Sequence, residues 1–297
     1  MLLIGQSLDL SHPALLASIR GEEEGPLLDR VRQQVEAGAD AIDLNAGLRA
    51  EVTDLEWCAR VIRRAYPELP LFIDTATPLL IGEVLDACAR MRVPQPLVAN
   101  SLPVGDRGLF DADSTVALRV ASRVGAGIVL SPRVADQRAS SAVAQSQRIA
   151  IAAWFGVEAA RTAGIRAPIY LDALAFPPLT DSVRCRRSLA VLRSARRMPD
   201  VTPLTAVGNV GYGAPAALAS SLRAVYAAAA TGAGALALIL PVEDAATVRA
   251  VRLAEGVLEP ETAADRWLVD VAAAASAGER PRSSPYVHAE AARLLFD

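Results

Sequence analysis

One pattern recurs along this chain: a short apolar run, a polar turn, then an amphipathic helix. Its clearest copy is Leu69-Pro-Leu-Phe-Ile-Asp74-Thr-Ala-Thr-Pro78. An apolar run this short, bounded by proline on both sides, reads as a parallel strand buried on both faces. Pro78 suits the first position of a helix, and Thr77 before it is placed to cap that helix. Asp74 therefore falls at the carboxyl end of a strand, where α/β folds put chemistry rather than packing.

The same signals place strands at Met1–Gly5, Ala39–Leu44, Pro96–Asn100, Gly127–Ser131, Pro168–Asp172, Thr202–Gly208 and Ala235–Leu240. Helices are expected between them, over about Pro26–Ala37, Val52–Tyr66, Leu79–Met91, Ser114–Val124, Ala144–Ala163, Asp181–Arg197 and Ala214–Thr231, with an eighth from Glu243. A loop with His12-Pro13 and Glu22–Glu24 precedes the first helix, and a longer polar loop follows Ser131. Eight strands alternating with eight helices predict a single (β/α)8 TIM barrel, with a doubly wound open sheet as the alternative. No break in composition marks a second domain in the 297 residues. The expected organisation is a barrel over residues 1–258 and a C-terminal helical extension over 259–297 packed on it. That extension has a helix over Glu259–Ala275 and a link at Gly278–Ser284.

Composition narrows the chemistry. The net charge of −3 gives no basic footprint for nucleic acid or a membrane surface. No apolar run approaches the roughly 20 residues of a membrane span, and the start has no basic leader region, so a cytoplasmic location is expected. All 30 basic residues are arginine, which removes a lysine Schiff base from consideration. Only His12 and His288 exist, neither at a strand end, which argues against histidine acid–base chemistry and a histidine metal site. Cys58, Cys88 and Cys185 lie far apart and read as buried free thiols.

Five strand ends carry Asp or Asn: Asp43-Leu-Asn45, Asp74-Thr75, Asn100-Ser101, Asp172 and Asn209. Each alone reads better as a helix cap or turn former. Together on one rim, Asp74, Asn100, Asp172 and Asn209 suit a flat, nitrogen-rich heterocycle that presents N–H donors. They suit a phosphate poorly.

In these residues the chain resembles the pterin-binding barrels, which include dihydropteroate synthase and the methyltetrahydrofolate:corrinoid protein methyltransferases. Gly38-Ala-Asp-Ala-Ile-Asp-Leu-Asn-Ala-Gly47 resembles the second-strand motif of the methyltransferases. Ile73-Asp-Thr75, Ala99-Asn-Ser101, Tyr170-Leu-Asp172 and Gly208-Asn-Val210 match the family's pterin-binding positions in order and spacing. The resemblance covers about residues 1–270. The dihydropteroate synthase branch has a lysine after strand seven and an Arg/His pair after strand eight, where this chain has Val210-Gly-Tyr-Gly213 and Pro241-Val-Glu243.

The resemblance therefore implies methyl transfer between N5 of tetrahydrofolate and the cobalt of cobalamin carried by a partner corrinoid protein, in a direction the sequence leaves open. It implies pterin contacts from Asp43, Asn45, Asp74, Asn100, Asp172 and Asn209, with Asn209 also catalytic, no metal bound by the chain itself, and a homodimer. The Ala-rich seventh and eighth helices are the expected dimer surface. Where the family has Gly-Glu-Arg-x-Asn after strand one, this chain has Gly5-Gln-Ser-Leu-Asp9. Gly208 and Gly211-Tyr-Gly213 replace polar residues around Asn209, and Ser131-Pro-Arg133 departs from the pattern at strand five. Two alternatives follow: a catalytically altered pterin-binding barrel serving as a binding or assembly subunit, and a barrel enzyme with another substrate.

Overall fold

The computed structural model describes residues 1–133 and 142–297. The chain opens with β1 (Leu2–Asp9), α1 (Pro13–Arg20), α2 (Glu24–Glu36) and β2 (Ala41–Asn45). It continues through α3 (Val52–Ala65), β3 (Leu71–Asp74), α4 (Pro78–Arg90), β4 (Leu97–Val104), α5 (Ala112–Val124) and β5 (Gly127–Pro132). Next come α6 (Ala142–Thr162), β6 (Ile169–Asp172), α7 (Pro178–Ala195), β7 (Thr202–Ala206), α8 (Ala216–Ala233) and β8 (Ala237–Leu240). The chain closes with α9 (Ala245–Ala254), α10 (Ala263–Ala277) and α11 (Ala289–Phe296). The strands follow one another around a closed barrel in sequence order, so the fold is a single (β/α)8 TIM barrel.

Within it the chain packs as two compact units. One runs from Leu2 through β5 and takes up Ile151–Tyr170; the other is built chiefly from Leu171–Asp297. In the first unit the parallel register places Asp9 beside Asn45, Asn45 beside Asp74, and Asp74 beside Asn100. Phe72 meets Tyr170 edge to face at 5.1 Å between ring centres, a contact between non-adjacent strands that marks the face turned into the barrel. Asp74 shares that face with Phe72, two residues away.

Several boundaries differ from the sequence expectations. β1 does not stop at Gly5: its pairing shifts between Gly5 and Leu8, and it resumes to Asp9. The glycine is required there, since a Cβ on Gly5 would lie 2.4 Å from the side-chain oxygen of Gln34, which accepts from Ser7 N–H at 2.9 Å. The segment after His12 is a helix, α1, opened by Pro13. β4 runs through Asn100 to Val104, so Asn100 lies within the strand rather than at its end. β7 ends at Ala206, and Val207–Gly211 form a 3-10 turn that includes Asn209. Thr77 makes no side-chain cap on α4; its N–H instead donates to the Thr75 hydroxyl at 3.2 Å. The polar loop expected after Ser131 lies largely outside the described residues.

In the second unit, α10 and α11 pack on α8. A Cβ on Gly232 would meet the Ala272 carbonyl oxygen at 1.9 Å, so these two helices touch backbone to backbone. The close approach that small residues permit, expected between copies of the chain, is used by α8 and α10 within one chain. The three cysteines are buried and unpaired, and burial raises each thiol, those of Cys88 and Cys185 to about 12.

At the amino-terminal ends of β3 and β4, Arg63 on α3 is 1% exposed. Its guanidinium donates to the carbonyls of Pro94 (3.1 Å), Tyr66 (3.2 Å), Leu69 (2.5 Å) and Gln95. Tyr66's carbonyl also accepts from Leu69 N–H at 3.2 Å, and one planar fork of five donors serves all four carbonyls. Arg63→Met should cost about 3 kcal/mol or more, because it leaves buried acceptors unpaired at roughly 1–3 kcal/mol each. Urea unfolding checks this, and an unchanged midpoint would show that the loops close without the guanidinium.

Candidate functional site

In the first unit, Asp9, Asn45, Asp74 and Asn100 occupy adjacent register positions on four strands. Acid and amide alternate along this row, so each carboxylate has an amide beside it rather than a second acid. Asn45 Nδ2 donates to Asp74 Oδ2 at 2.6 Å, and Asn45 Oδ1 accepts from Gly47 N–H at 2.8 Å. Both ends of that amide are thereby fixed. Asp9 Oδ1 accepts from Ser11 N–H at 2.8 Å, which turns the chain sharply after β1. Gly47, at φ +59°, lies against this turn, and a Cβ there would meet Ser11 N at 2.7 Å.

Asp43 sits two residues before Asn45 and is 3% exposed. Asn100 Nδ2 donates to Asp43 Oδ1 at 2.9 Å, between strands two apart in the barrel, as strand tilt brings alternate strands into one layer. Burial holds the Asp43 carboxyl well above its ordinary range. The charge of Asp74 pushes it further the same way, and the bond from Asn100 acts against both. The affinity of Asp43 for a proton is therefore raised, which relieves a pair of carboxylates that would otherwise repel. With the Asn100 N–H turned to Asp43, its carbonyl oxygen is the end left to face a ligand. The site's Asn100 thus offers an acceptor.

In the second unit, Asp172 ends β6, and its Oδ1 accepts from Leu174 N–H at 2.9 Å. That bond supports Leu174 at φ +57°. Behind this strand end, Tyr226 of α8 is fully buried with its hydroxyl bonded to Ser188 and, at 3.1 Å, to Thr205. Burial raises that hydroxyl, and the charge of Asp172 adds a small push. Asn209 is exposed in its 3-10 turn, and its Nδ2 reaches the Ala175 carbonyl at 3.4 Å. Its side chain thus leans on the loop after β6 rather than on its own turn.

The structure therefore joins Asp43, Asn45, Asp74 and Asn100 into one hydrogen-bonded network in the first unit, and sets Asp172 and Asn209 at the ends of β6 and β7 in the second. Asp9 was missed as a member of the row. Its signal lay in the sequence as an acid four residues past a glycine, hidden by the polar Gln6-Ser7 at the bulge. Ser131 was also missed: its side chain is 1% exposed at the end of β5, and its hydroxyl has no partner among the described residues. Among those residues no cluster of three or more His, Cys, Asp or Glu is arranged to hold a metal ion. Nor is any helix long and apolar enough to cross a membrane.

Comparison with known proteins agrees with this architecture. No family model matches the sequence. A 92-residue segment is 33% identical to a methylcorrinoid:tetrahydrofolate methyltransferase of Eubacterium limosum, spanning 30% of this chain and about a third (34%) of that relative's length. Among solved structures, dihydropteroate synthase of Yersinia pestis overlays at a TM-score of 0.58 with 17% identity, covering 86% of this chain and 92% of that one. The enzyme of Thermus thermophilus overlays at 0.58 with 20% identity, covering 86% and 94%. At these identities the overlays show the fold. Fold, strand-end residues and matched segment are together similar to those of the pterin-binding, dihydropteroate synthase-like barrels. The named relatives are enzymes, and the segment match lies with the corrinoid-linked methyltransferases.

The raised proton affinity of Asp43 has a measurable consequence. Its affinity for that proton is raised by folding. Its contribution to stability is therefore full below the unfolded carboxyl value of about 3.9 and is lost as pH rises through the folded value. Asp43→Asn reproduces the neutral acid, accepting from Asn100 and donating to Asp74. The variant should match the native protein in acid and exceed it in stability at alkaline pH. Chemical denaturation across that range tests the sign, and a native protein gaining on the variant as pH rises would refute the neutral Asp43.

Proposed function

We propose that this barrel is a methyltransferase acting between N5 of tetrahydrofolate and the cobalt of cobalamin held by a partner corrinoid protein. The observation that carries this reading is the alternating acid–amide row, in which the Asn100 N–H is committed to Asp43. A reduced pterin has a pyrimidine edge rich in N–H donors, which such acceptors match. The 33% identical segment of a methylcorrinoid:tetrahydrofolate methyltransferase supports the same direction.

In this proposal Asp74 and Asn100 hold one side of the ring, supported by Asn45 and Asp43, and Asp172 accepts from the N3–H and 2-amino edge. The corrinoid cobalt supplies the nucleophile or the methyl group, depending on direction. Within this chain the chemical task lies at N5. When the N5–methyl bond breaks, its electron pair returns to N5, and charge grows there. An amide N–H from Asn209 stabilises that charge with a bond that strengthens in the transition state. Donors of this kind are typically worth about 2.7–4 kcal/mol of barrier. We further propose that residues 259–297 extend the barrel as a helical appendage, and that the chain self-associates through its outer helices.

The decisive experiment is a titration with 5-methyltetrahydrofolate followed by addition of cob(I)alamin. Binding with turnover is expected. Binding without turnover would make the barrel a pterin-binding subunit, and absence of binding would remove the pterin. Asp172→Ala should weaken tetrahydrofolate binding by roughly 1–3 kcal/mol, since it leaves ligand donors unpaired; unchanged affinity in calorimetry would reduce Asp172 to the turn it forms with Leu174. Asn209→Ala should lower the single-turnover rate far more than it weakens methyltetrahydrofolate binding. Equal losses in rate and affinity would make Asn209 a pterin anchor only.

A further inference from the structure

In the second unit the 3-10 turn that carries Asn209 rests on an ion pair. Val207, Val210 and Gly211 of that turn are buried, while Asn209 faces out. Gly211 lies on the first turns of α8, between Ala219 and Arg223. A Cβ on it would meet Arg223 Nη1 at 2.7 Å and the Ala219 Cβ at 3.3 Å. A long side chain left free could swing away from such a contact. This one is tied at its far end.

Arg223 Nε and Nη2 both donate to Asp244 Oδ2, at 2.9 and 2.7 Å, and Nη1 is the nitrogen beside Gly211. Asp244 follows β8 and caps α9, accepting from Thr247 N–H at 3.4 Å and from the Ser220 hydroxyl at 2.9 Å. Burial works to raise its carboxyl, but the bonds from Arg223, Ser220 and Thr247 hold it below the ordinary range. The two side chains are only 20% and 11% exposed. A pair this sheltered adds little net stability over apolar residues of the same shape, because desolvation offsets the attraction. What it does provide is geometry, since the planar fork fixes where the guanidinium lies.

We infer that the Arg223–Asp244 pair positions Asn209: it sets the height of the turn on α8, and so the place where the amide meets the substrate. The inference rests on the catalytic reading of Asn209 and adds the residues that act through it. Arg223 lies on the helix that follows β7 and Asp244 follows β8, so the pair ties the exits of two neighbouring strands together. The backbone of the turn is thereby seated, while the Asn209 amide keeps only its 3.4 Å bond to Ala175. Arg223 and Asp244 are positioning residues, and their effect on the reaction passes through the backbone of Gly211.

The test joins a structural readout to a kinetic one. Arg223→Met combined with Asp244→Asn removes the pair without stranding a charge, and the asparagine still caps α9. Gly211→Ala, a second and independent variant, drives the guanidinium off Asp244. In both, backbone hydrogen exchange over residues 207–214 should rise about tenfold or more. Single-turnover methyl transfer should fall about tenfold or more, as for a misplaced catalytic group, with 5-methyltetrahydrofolate affinity changed less than about twofold. Added to Asn209→Ala, neither change should lower the rate further, since the pair acts only through that amide. Unchanged exchange, equal losses of rate and affinity, or a further fall in the Asn209→Ala background would overturn the positioning role and leave the methyl transfer reading standing. Native protein that binds the folate without turnover, or a normal rate in Asn209→Ala, would overturn the catalytic reading of Asn209 and the positioning role with it.

Discussion

The hydrogen bond from Asn100 to Asp43 is the contact on which the first half of the site depends. A parallel barrel with acids at its strand ends gathers like charges in a confined space, and two buried carboxylates in contact do not both ionise. This chain resolves the problem in two ways. Along the row, amides separate the acids: Asp9, Asn45, Asp74, Asn100. Beneath the row, where no amide intervenes between Asp43 and Asp74, burial and the charge of Asp74 raise the proton affinity of Asp43. Both devices leave a rigid set of acceptors whose orientation is set by the protein before any ligand arrives.

That arrangement also decides which end of each amide is used. Asn45 donates to Asp74 and accepts from Gly47 N–H, so both ends of its amide are engaged. Asn100 is occupied at its N–H only. The same residue type thus takes two roles one strand apart from its register partner, and the difference comes from what lies two residues earlier on β2. Replacing Asp43 by an apolar residue of similar size would free the Asn100 amide to rotate, and the rim would present a donor as readily as an acceptor.

Much of this was legible in the sequence because buried parallel strands read as bare apolar runs and because their exits are polar. Leu71–Asp74 and Ile169–Asp172 emerge almost as read. The misses have physical causes. β1 hides its second half because the bulge at Gly5 brings polar Gln6 and Ser7 into the strand, with Gln34 satisfying the backbone. β4 carries Pro103, normally a sign that a strand has ended, but its register shift between Ala99 and Leu102 lets the proline follow without breaking the ladder. Arg63 looks in sequence like any arginine on an amphipathic helix, and only the folded chain turns it inward onto four carbonyls. The raised proton affinity of Asp43 is invisible in one dimension, since it arises from burial and from a neighbour 31 residues away.

Asn209 contrasts with the amides of the row. Asn45 and Asn100 are held by bonds of 2.6–2.9 Å within strands, whereas Asn209 is exposed in a short turn and reaches its acceptor at 3.4 Å. A long, weak bond to Ala175 is little to give up. In the proposed reaction the group at N5 has to respond to charge that appears only as the methyl departs, so a donor already bound tightly elsewhere would gain little by switching. A loosely held amide gains the full difference between its bond in the ground state and its bond to a charged nitrogen. In the proposed reaction, binding thus falls to the residues the barrel fixes, and catalysis to the one held by the long bond to Ala175.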